Sequence, residues 1–205
     1  MEPLYRRLSL SVEEGMRAIA ALKEPIAMAF LSAAAKELVR CFNEGNKVLI
    51  AGNGGSLCDA IHFAEELTGF FRSQRPALAA IALSDPGHIT CVGNDVGFDQ
   101  IFSRAIEALG SPGDLFIGLT TSGNSTNLLR AFSVAKERGL ETIAFLGRGG
   151  GALKGVAAHE LIIDGFATSD RIQEAHMAAL HILVEAVEEL LWPAEEQVKT
   201  CATIR

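Results

Sequence analysis

Clusters of lysine and arginine are missing from this sequence. Its 205 residues carry 18 basic and 25 acidic side chains, and the formal net charge is −7. A protein whose main task is to bind nucleic acid needs a basic patch or stripe that neutralises phosphates. The acidic balance therefore argues against nucleic acid as the main partner.

Paired cysteines and long apolar runs are missing as well. The four cysteines (Cys41, Cys58, Cys91 and Cys201) show no C-x-x-C spacing, which favours reduced thiols in the cytosol. No apolar run reaches the ~20 residues of a membrane-spanning helix, and the N-terminus lacks the apolar core of a signal peptide. These absences predict a cytoplasmic protein without a membrane span.

Apolar residues, by contrast, make up 49% of the sequence, which is ample for one compact domain with helical additions. They recur at helical spacing over residues 8–22, and Pro25 suits the first turn of a second helix that Gly45 ends. We expect a helical pair over residues 1–45 for packing or oligomerisation, the main domain over residues 46–192, and a polar tail over residues 193–205.

Beyond the helical pair, short apolar strands alternate with helices. Strands are predicted over residues 47–51, 77–83, 114–119, 141–146 and 160–163, and helices over residues 57–69, 100–108, 124–138 and 169–191. Strands separated by helices of this length form βαβ units. The pattern predicts an α/β fold with a parallel sheet that helices cover on both faces.

Residues 120–125, Thr-Thr-Ser-Gly-Asn-Ser, follow an apolar strand and open a helix. Hydroxyl groups donate to phosphate oxygens, Gly123 lets the backbone approach an anion, and a helix N-terminus supplies free N–H groups. An ordinary helix N-cap is the alternative, because Ser, Thr and Asn are preferred there. The segment holds more hydroxyls than one cap needs, so we favour an anion site that binds by hydrogen bonds.

Residues 52–56, Gly-Asn-Gly-Gly-Ser, repeat this pattern between another strand and helix. Open parallel sheets place their ligands at such loops. The loop is not G-x-G-x-x-G, so a dinucleotide is not expected, and it lacks the lysine of a Walker A loop. Alone it could equally be a tight turn, but the second loop of the same kind strengthens the prediction of a ligand site.

Two predicted helices carry polar stripes. His62 and Glu66 are four residues apart and project from one face, where they could bind zinc or form an ordinary surface pair. Gln173 and His181 share one stripe of the last helix, although a core histidine and a helix-end glutamine are the alternative. The residues alone do not choose between these interpretations.

Other polar residues carry less specific signals. Asn94 and Asp95 lie in a polar, glycine-flanked segment and could bind sugar hydroxyls or cap a helix that begins near residue 99. His176 lies on another face of the last helix and is predicted to be exposed. Arg171 and Glu174 are predicted to form a solvated pair.

Five motifs in order resemble the phosphoheptose isomerases, a branch of the sugar isomerase (SIS) fold. They are Ala-Gly-Asn-Gly-Gly-Ser at residues 51–56, His-Phe-Ala-Glu-Glu-Leu-Thr-Gly at 62–69, Val-Gly-Asn-Asp at 92–95, Thr-Ser-Gly-Asn-Ser at 121–125 and Asp-Arg-Ile-Gln-Glu at 170–174. The resemblance implies a three-layer sandwich with a five-stranded, doubly wound parallel sheet. It also implies a homotetramer with active sites at the subunit interfaces.

The resemblance implies an aldose–ketose isomerase. The reaction would convert D-sedoheptulose 7-phosphate to D-glycero-D-manno-heptose 7-phosphate through a cis-enediol, for the heptose of the lipopolysaccharide core. One Zn²⁺ per subunit is implied, with His62, Glu66, Gln173 and His181 at the ligand positions. Glu66 fits the base and His181 the acid of such a reaction. Substrate contacts are expected from Asn53, Gly54, Gly55, Ser56, Glu66, Asn94, Asp95, Thr120, Thr121, Ser122, Ser125 and Gln173.

The sequence departs from the family at Phe70, where an arginine is common, so a phosphate or subunit contact is either absent or supplied by Arg72. The alternative function is a non-catalytic SIS-fold adaptor that binds the bacterial replication initiator. Such adaptors lack the paired Glu65 and Glu66. A sugar-phosphate-sensing regulatory domain, a third class, would not need the set of zinc ligands.

Overall fold

Two long helices open the chain in the computed structural model, which describes residues 2–193. Helix α1 spans Glu2–Ala20, and α2 spans Pro25–Asn43 after a 3-10 turn at Ala21–Lys23. Pro25 starts α2, and Gly45, with a φ of +76°, follows its end, so both predicted boundaries are confirmed. The remaining helices are α3 (Gly55–Thr68), α4 (Pro86–Asp95), α5 (Ile101–Leu109), α6 (Thr126–Glu137) and α7 (Ser169–Leu191).

Five parallel strands form one sheet in the order β2-β1-β3-β4-β5. They are β1 (Val48–Gly52), β2 (Ala80–Ala82), β3 (Leu115–Thr120), β4 (Glu141–Gly147) and β5 (His159–Ile163). The chain passes from β1 to β2 on one side and returns to β3 on the other. The strand order therefore reverses between β1 and β3, and such a switch point opens a crevice at the carboxyl ends of the strands.

Helices cover both faces of the sheet, which confirms the predicted three-layer sandwich. Val48 and Ile50 of β1 face a buried cluster with α2, α3 and α7, whereas Leu49 and Ala51 face a second cluster with α5 and α6. The alternation follows from the two-residue period of a strand. Because both faces are covered, all five residues of β1 are buried.

Helix α1 contributes little to this core. Its buried residues are Gly15 and Ala18, and a Cβ on Gly15 would lie 2.8 Å from a guanidinium nitrogen of Arg171 on α7. The large apolar side chains of α1 are exposed, with Leu4, Tyr5, Leu8, Leu10, Val12, Met16 and Ile19 each at least 47% accessible. Helix α1 is thus docked on α7 along one narrow stripe and leaves an apolar face uncovered.

Within residues 2–193 no single helix has both the length and the apolar character to cross a membrane. The pair formed by α1 and α2, bent by 67° at its break, satisfies such a test only jointly, by length and composition.

The segment around residues 91–98 differs from its prediction. The polar, glycine-flanked stretch is the end of α4, which begins at Pro86 and is capped by Asp85, whose carboxylate accepts from the His88 N–H at 2.6 Å. Glycine, asparagine and aspartate have low helix propensity, and this hides the helix in the sequence. The polar tail predicted beyond residue 193 lies outside the described residues, as does Cys201.

Candidate active site

The two glycine- and serine-rich loops meet at the switch point of the sheet. They enclose a cavity of about 280 Å³ together with the first turn of α7. It is lined by Asn53, Gly54, Gly55, Ser56, Leu119, Thr120, Thr121, Ser122, Ser125, Ser169 and Gln173. The N-terminal turns of α3, α6 and α7 all reach its wall, so their unpaired backbone N–H groups favour an anion there. The predicted convergence of the two loops is present in the structure.

Thr120 is the centre of the hydroxyl network in the second loop. Its Oγ1 lies 3.4 Å from Ser122 Oγ and 3.2 Å from Ser125 Oγ, and it accepts from the Gly123 N–H at 3.3 Å. Thr120 itself is buried. These contacts hold the loop hydroxyls in one arrangement, and such order lowers the entropy cost of binding a ligand.

Gly123 is required for a different reason than the sequence suggests. Its φ is +66°, and a Cβ there would lie 1.9 Å from the carbonyl oxygen of Gly150. The close approach is thus to the 3-10 segment Arg148–Leu153 of the same chain. Asn124 fastens the two segments, because its Oδ1 accepts from the Ala152 N–H at 3.0 Å.

Asn127 joins the two loops and was missed by sequence reasoning. Its side-chain amide forms two hydrogen bonds with that of Asn53, at 3.0 and 2.8 Å, and only 3% of Asn127 is exposed. The one signal in the sequence is an amide two residues beyond the N-cap of α6. This pair fixes the orientation of Asn53, which lines the cavity.

Helices α3 and α7 bring His62, Glu66 and His181 into one cluster. Glu66 Oε1 lies 3.0 Å from His62 Nε2 and 3.5 Å from His181 Nε2, and the two ring nitrogens are 3.2 Å apart. Glu66 Oε2 is buried and has no hydrogen-bond partner among the described residues. A buried carboxylate oxygen without a partner is costly unless a ligand satisfies it.

The donor set of this cluster fits a metal ion. A tetrahedral zinc with bonds of about 2.0–2.2 Å places its donor atoms about 3.3–3.6 Å apart, near the separations of the cluster. Gln173 lies two turns before His181 on α7, and its Nε2 is 3.4 Å from Ser56 Oγ. Three of the four residues at predicted ligand positions thus converge, whereas Gln173 lines the hydroxyl cavity.

One turn before His62 on α3, burial raises the pKa of the Asp59 carboxyl to about 6, an effect that the nearby His62 partly opposes. Asp59 Oδ2 is buried without a hydrogen-bond partner among residues 2–193. The first half of α3 therefore holds a carboxyl that titrates near neutrality beside the cluster.

A buried ion pair lies beside the cluster, between the end of α3 and α7. Arg75 and Glu188 are joined at 2.8 Å, and the Arg75 side chain is 1% exposed. Arg75 also donates to the carbonyl of Glu66 at 2.7 Å, and Glu188 accepts from the Phe71 N–H at 3.1 Å. The ring of Phe71 in turn stacks on His181 with centroids 5.6 Å apart. This pair therefore ties the end of α3 to α7.

Several predicted residues lie elsewhere. Asn94 and Asp95 are exposed at the end of α4, joined to each other at 2.7 Å, and are not among the residues that line the cavity. They do not cap the helix near residue 99, since Gln100 precedes α5. Phe70 is 63% exposed, and Arg72 pairs with Glu185 on α7 rather than with the hydroxyl loops.

One prediction for α7 is wrong, and another is confirmed only in part. His176 is fully buried, and its Nε2 donates to the carbonyl of Leu146 at 3.0 Å, because α7 is covered on more than one face. Burial lowers the pKa of His176 to about 4, so the ring is neutral. Arg171 does pair with Glu174, but its side chain is only 16% exposed, since Ser11 of α1 covers it and accepts a hydrogen bond at 3.2 Å.

The fold and cavity define an α/β protein with a hydroxyl-lined pocket at the switch point of a parallel sheet. The family model described as "SIS domain" matches residues 13–147, more than half of the chain. A phosphoheptose isomerase of Fusobacterium nucleatum is 57% identical over 159 residues, which are 78% of this chain and 81% of that protein. That of Vibrio cholerae is 50% identical over 162 residues, 79% of this chain and 85% of that protein.

A solved structure agrees with these sequence relatives. Phosphoheptose isomerase GmhA from Neisseria gonorrhoeae superposes with a TM-score of 0.83 at 35% identity, over 91% of this chain and 99% of that one. The chain therefore belongs to the phosphoheptose isomerase family of SIS domain proteins.

Proposed function

We propose that this protein converts D-sedoheptulose 7-phosphate to D-glycero-D-manno-heptose 7-phosphate through a cis-enediol. The observation that carries the proposal is that α3 and α7 each connect the hydroxyl cavity with the His62–Glu66–His181 cluster. At 1.5 Å per residue, Gln173 and His181 are about 12 Å apart along α7. An extended seven-carbon chain with C–C bonds of about 1.5 Å reaches roughly 10 Å from C1 to a phosphate on C7. One substrate can therefore occupy both places.

The cluster offers the groups that proton transfer between C1 and C2 requires. Glu66 is the base, because its free oxygen is buried and without a partner among the described residues. His181 is the acid that serves the substrate oxygens, and Phe71 stacked on its ring fixes the ring plane. A positioned base and acid of this kind each contribute about 10²–10⁴-fold to a rate.

We further propose that His62, Glu66 and His181 hold one zinc ion, whereas Gln173, the fourth residue at a predicted ligand position, contacts Ser56 at the hydroxyl cavity. A bound zinc ion polarises a carbonyl group and stabilises an adjacent oxyanion. Glu66 Oε1, which lies within 3.5 Å of both imidazole nitrogens, supports this assignment, but a carboxylate bound to a metal is a weaker base. Glu66 has two oxygens, and the two roles fall to different ones.

The phosphate belongs to the hydroxyl cavity, where Ser56, Thr120, Thr121, Ser122 and Ser125 surround it. Asn53, Gly54, Gly55 and Gln173 line the same wall and orient the sugar. Asn94 and Asp95 are exposed at the end of α4, and we assign them to the sugar only as part of a subunit interface.

We propose a homotetramer with active sites at the interfaces. The uncovered apolar face of α1 supports this assembly, since a contiguous patch of large apolar side chains is uncommon on a monomer. Residues 1–45 are then the oligomerisation element beside the SIS domain at residues 46–192. Cys41, Cys58 and Cys91 form no disulfide among the described residues, which is in keeping with a cytoplasmic site for the reaction. The product supplies heptose for lipopolysaccharide.

The test is incubation of zinc-loaded and chelated protein with sedoheptulose 7-phosphate, followed by product analysis. We expect aldoheptose 7-phosphate from the zinc-loaded protein and at least a tenfold lower rate after chelation. Absence of product under both conditions would reject the isomerase and favour the adaptor, which none of the named relatives supports.

A further inference from the structure

The phosphate pocket lacks a positive side chain on its wall. None of the described residues that line the cavity is lysine or arginine. A sugar phosphate carries between one and two negative charges near neutral pH. Hydroxyls and helix N-termini compensate part of this charge, but a charge-assisted hydrogen bond is roughly twice as strong as a neutral one. A cation near the wall would therefore matter.

Arg148 stands out by its backbone. With a φ of +49°, it is the one non-glycine residue with positive φ within residues 2–193. Gly149, Gly150 and Gly151 follow it and also have positive φ. An arginine in this conformation costs roughly 1–2 kcal/mol relative to glycine. Such outliers concentrate at functional sites, so the side chain at position 148 needs an explanation.

The Arg148 side chain reaches the cavity through Ser169. Arg148 Nη2 donates to Ser169 Oγ at 2.8 Å, and Thr121 Oγ1 donates to the same oxygen at 3.1 Å. A serine hydroxyl has two acceptor lone pairs and one proton. Because both lone pairs are used, the Ser169 proton is left to donate, and Ser169 lines the cavity.

We propose that Ser169 binds the substrate phosphate and that Arg148 is a positioning residue that orients and polarises the Ser169 hydroxyl. This inference rests on the proposed function of the cavity. Arg148 supplies the positive charge that the two hydroxyl loops lack. The backbone conformation at Arg148 directs the guanidinium toward Ser169, and the resulting hydrogen bond offsets the cost of that conformation.

Binding of inorganic phosphate to chelated full-length protein tests the proposal directly. We expect Arg148→Met to weaken phosphate binding roughly tenfold in calorimetry, the range for one hydrogen bond to a charged group. Arg148→Lys should recover part of the loss, and Ser169→Ala should weaken binding about as much as Arg148→Met. The double variant should lose little more than either single variant, because both act through one hydroxyl.

A matched control separates this role from net charge and from folding. Arg104→Met removes the same charge from an exposed site on α5, where Arg104 pairs with Glu107, and should leave phosphate affinity unchanged. If Arg148 only holds the 3-10 segment in place, Arg148→Met should have a lower melting temperature but a phosphate affinity within twofold of the wild type. That result would overturn the proposal. An equal loss of affinity in Arg104→Met would overturn it as well.

Kinetics distinguish this proposal from the proposed function. With sedoheptulose 7-phosphate, Arg148→Met should raise KM about tenfold and leave kcat within threefold, because the phosphate is remote from the reacting carbons. A fall in kcat with unchanged KM would overturn the role of Arg148. If the wild-type protein does not isomerise the ketose, the proposed function fails, and the phosphate titrations still decide whether Arg148 and Ser169 bind the anion.

Discussion

The two ends of the candidate site are built differently. The phosphate end consists of neutral hydroxyls and amides on loops, which glycine packing and the Asn53–Asn127 pair hold in place. The reactive end consists of titratable side chains on α3 and α7, which the buried Arg75–Glu188 pair holds together. Damage to the loops should therefore weaken binding, whereas damage to the helices should slow turnover.

The largest effect is expected at the reactive end. Glu66→Gln keeps the size of the side chain and removes the base, so kcat should fall about 10³-fold or more while phosphate affinity stays within threefold. Glu65→Gln is the control, since Glu65 is exposed on the same helix and should retain activity. Steady-state kinetics and a melting curve measure both variants. Retention of wild-type kcat by the Glu66→Gln variant would remove the assigned base.

At the phosphate end, the strongest disruption is expected from Gly123→Ala. The added Cβ collides with the Gly150 carbonyl, so the loop must move and KM should rise at least tenfold, with a melting temperature several degrees lower. Gly155→Ala is matched in backbone, with a φ of +79° and open space around the Cβ. It should leave KM unchanged. Equal KM values for the two variants would contradict the role of the packed loop.

His176 shares α7 with both ends but belongs to the core. Its folded pKa of about 4 is below the unfolded value of 6.5, so the unfolded state binds more protons between these values. The contribution of the neutral ring to stability is complete above pH 6.5 and is lost as the pH falls toward 4, by about 2 kcal/mol at pH 5.

Urea unfolding at pH 7 and pH 5 measures this effect. His176→Leu cannot take up the proton and should lose about 2 kcal/mol less than the wild type between the two pH values. If the free energy of unfolding falls equally in the wild type and in His176→Leu between pH 7 and pH 5, His176 is not buried and neutral.

The smallest predicted effect concerns the link between the two loops. Asn127→Ala leaves the Asn53 amide without its partner, which should cost about 1–2 kcal/mol of stability and raise KM a few-fold at unchanged kcat. Asn124→Ala, which frees a more exposed amide, should affect stability less. A fall in kcat for Asn127→Ala would show that the two ends are not independent.

The sequence was sufficient where local pattern and tertiary environment agree. The strands around the switch point, both glycine- and serine-rich loops and the full extent of α7 follow from apolar runs and turn residues. The three titratable members of the reactive end followed from helical spacing and family resemblance. Hydroxyl loops and four-residue spacings are local signals, and they persist in the fold.

The features that the sequence did not predict depend on tertiary contacts. Helix α4 is hidden because Gly93, Asn94 and Asp95 are poor helix formers, whereas the helix as a whole packs against α5 and the 3-10 turn Phe98–Gln100. The burial of His176 depends on the carbonyl of Leu146, 30 residues away. Likewise Asn127 gains its role from Asn53, 74 residues earlier, which no local pattern reveals.

The most direct test of the account is a crystal structure of the Glu66→Gln variant with sedoheptulose 7-phosphate bound. The account predicts that the phosphate lies against Thr120, Ser122 and Ser125, with C1 and C2 of the sugar beside His181. A phosphate bound outside the hydroxyl cavity, or reacting carbons remote from the imidazole in every subunit of the assembly, would contradict it.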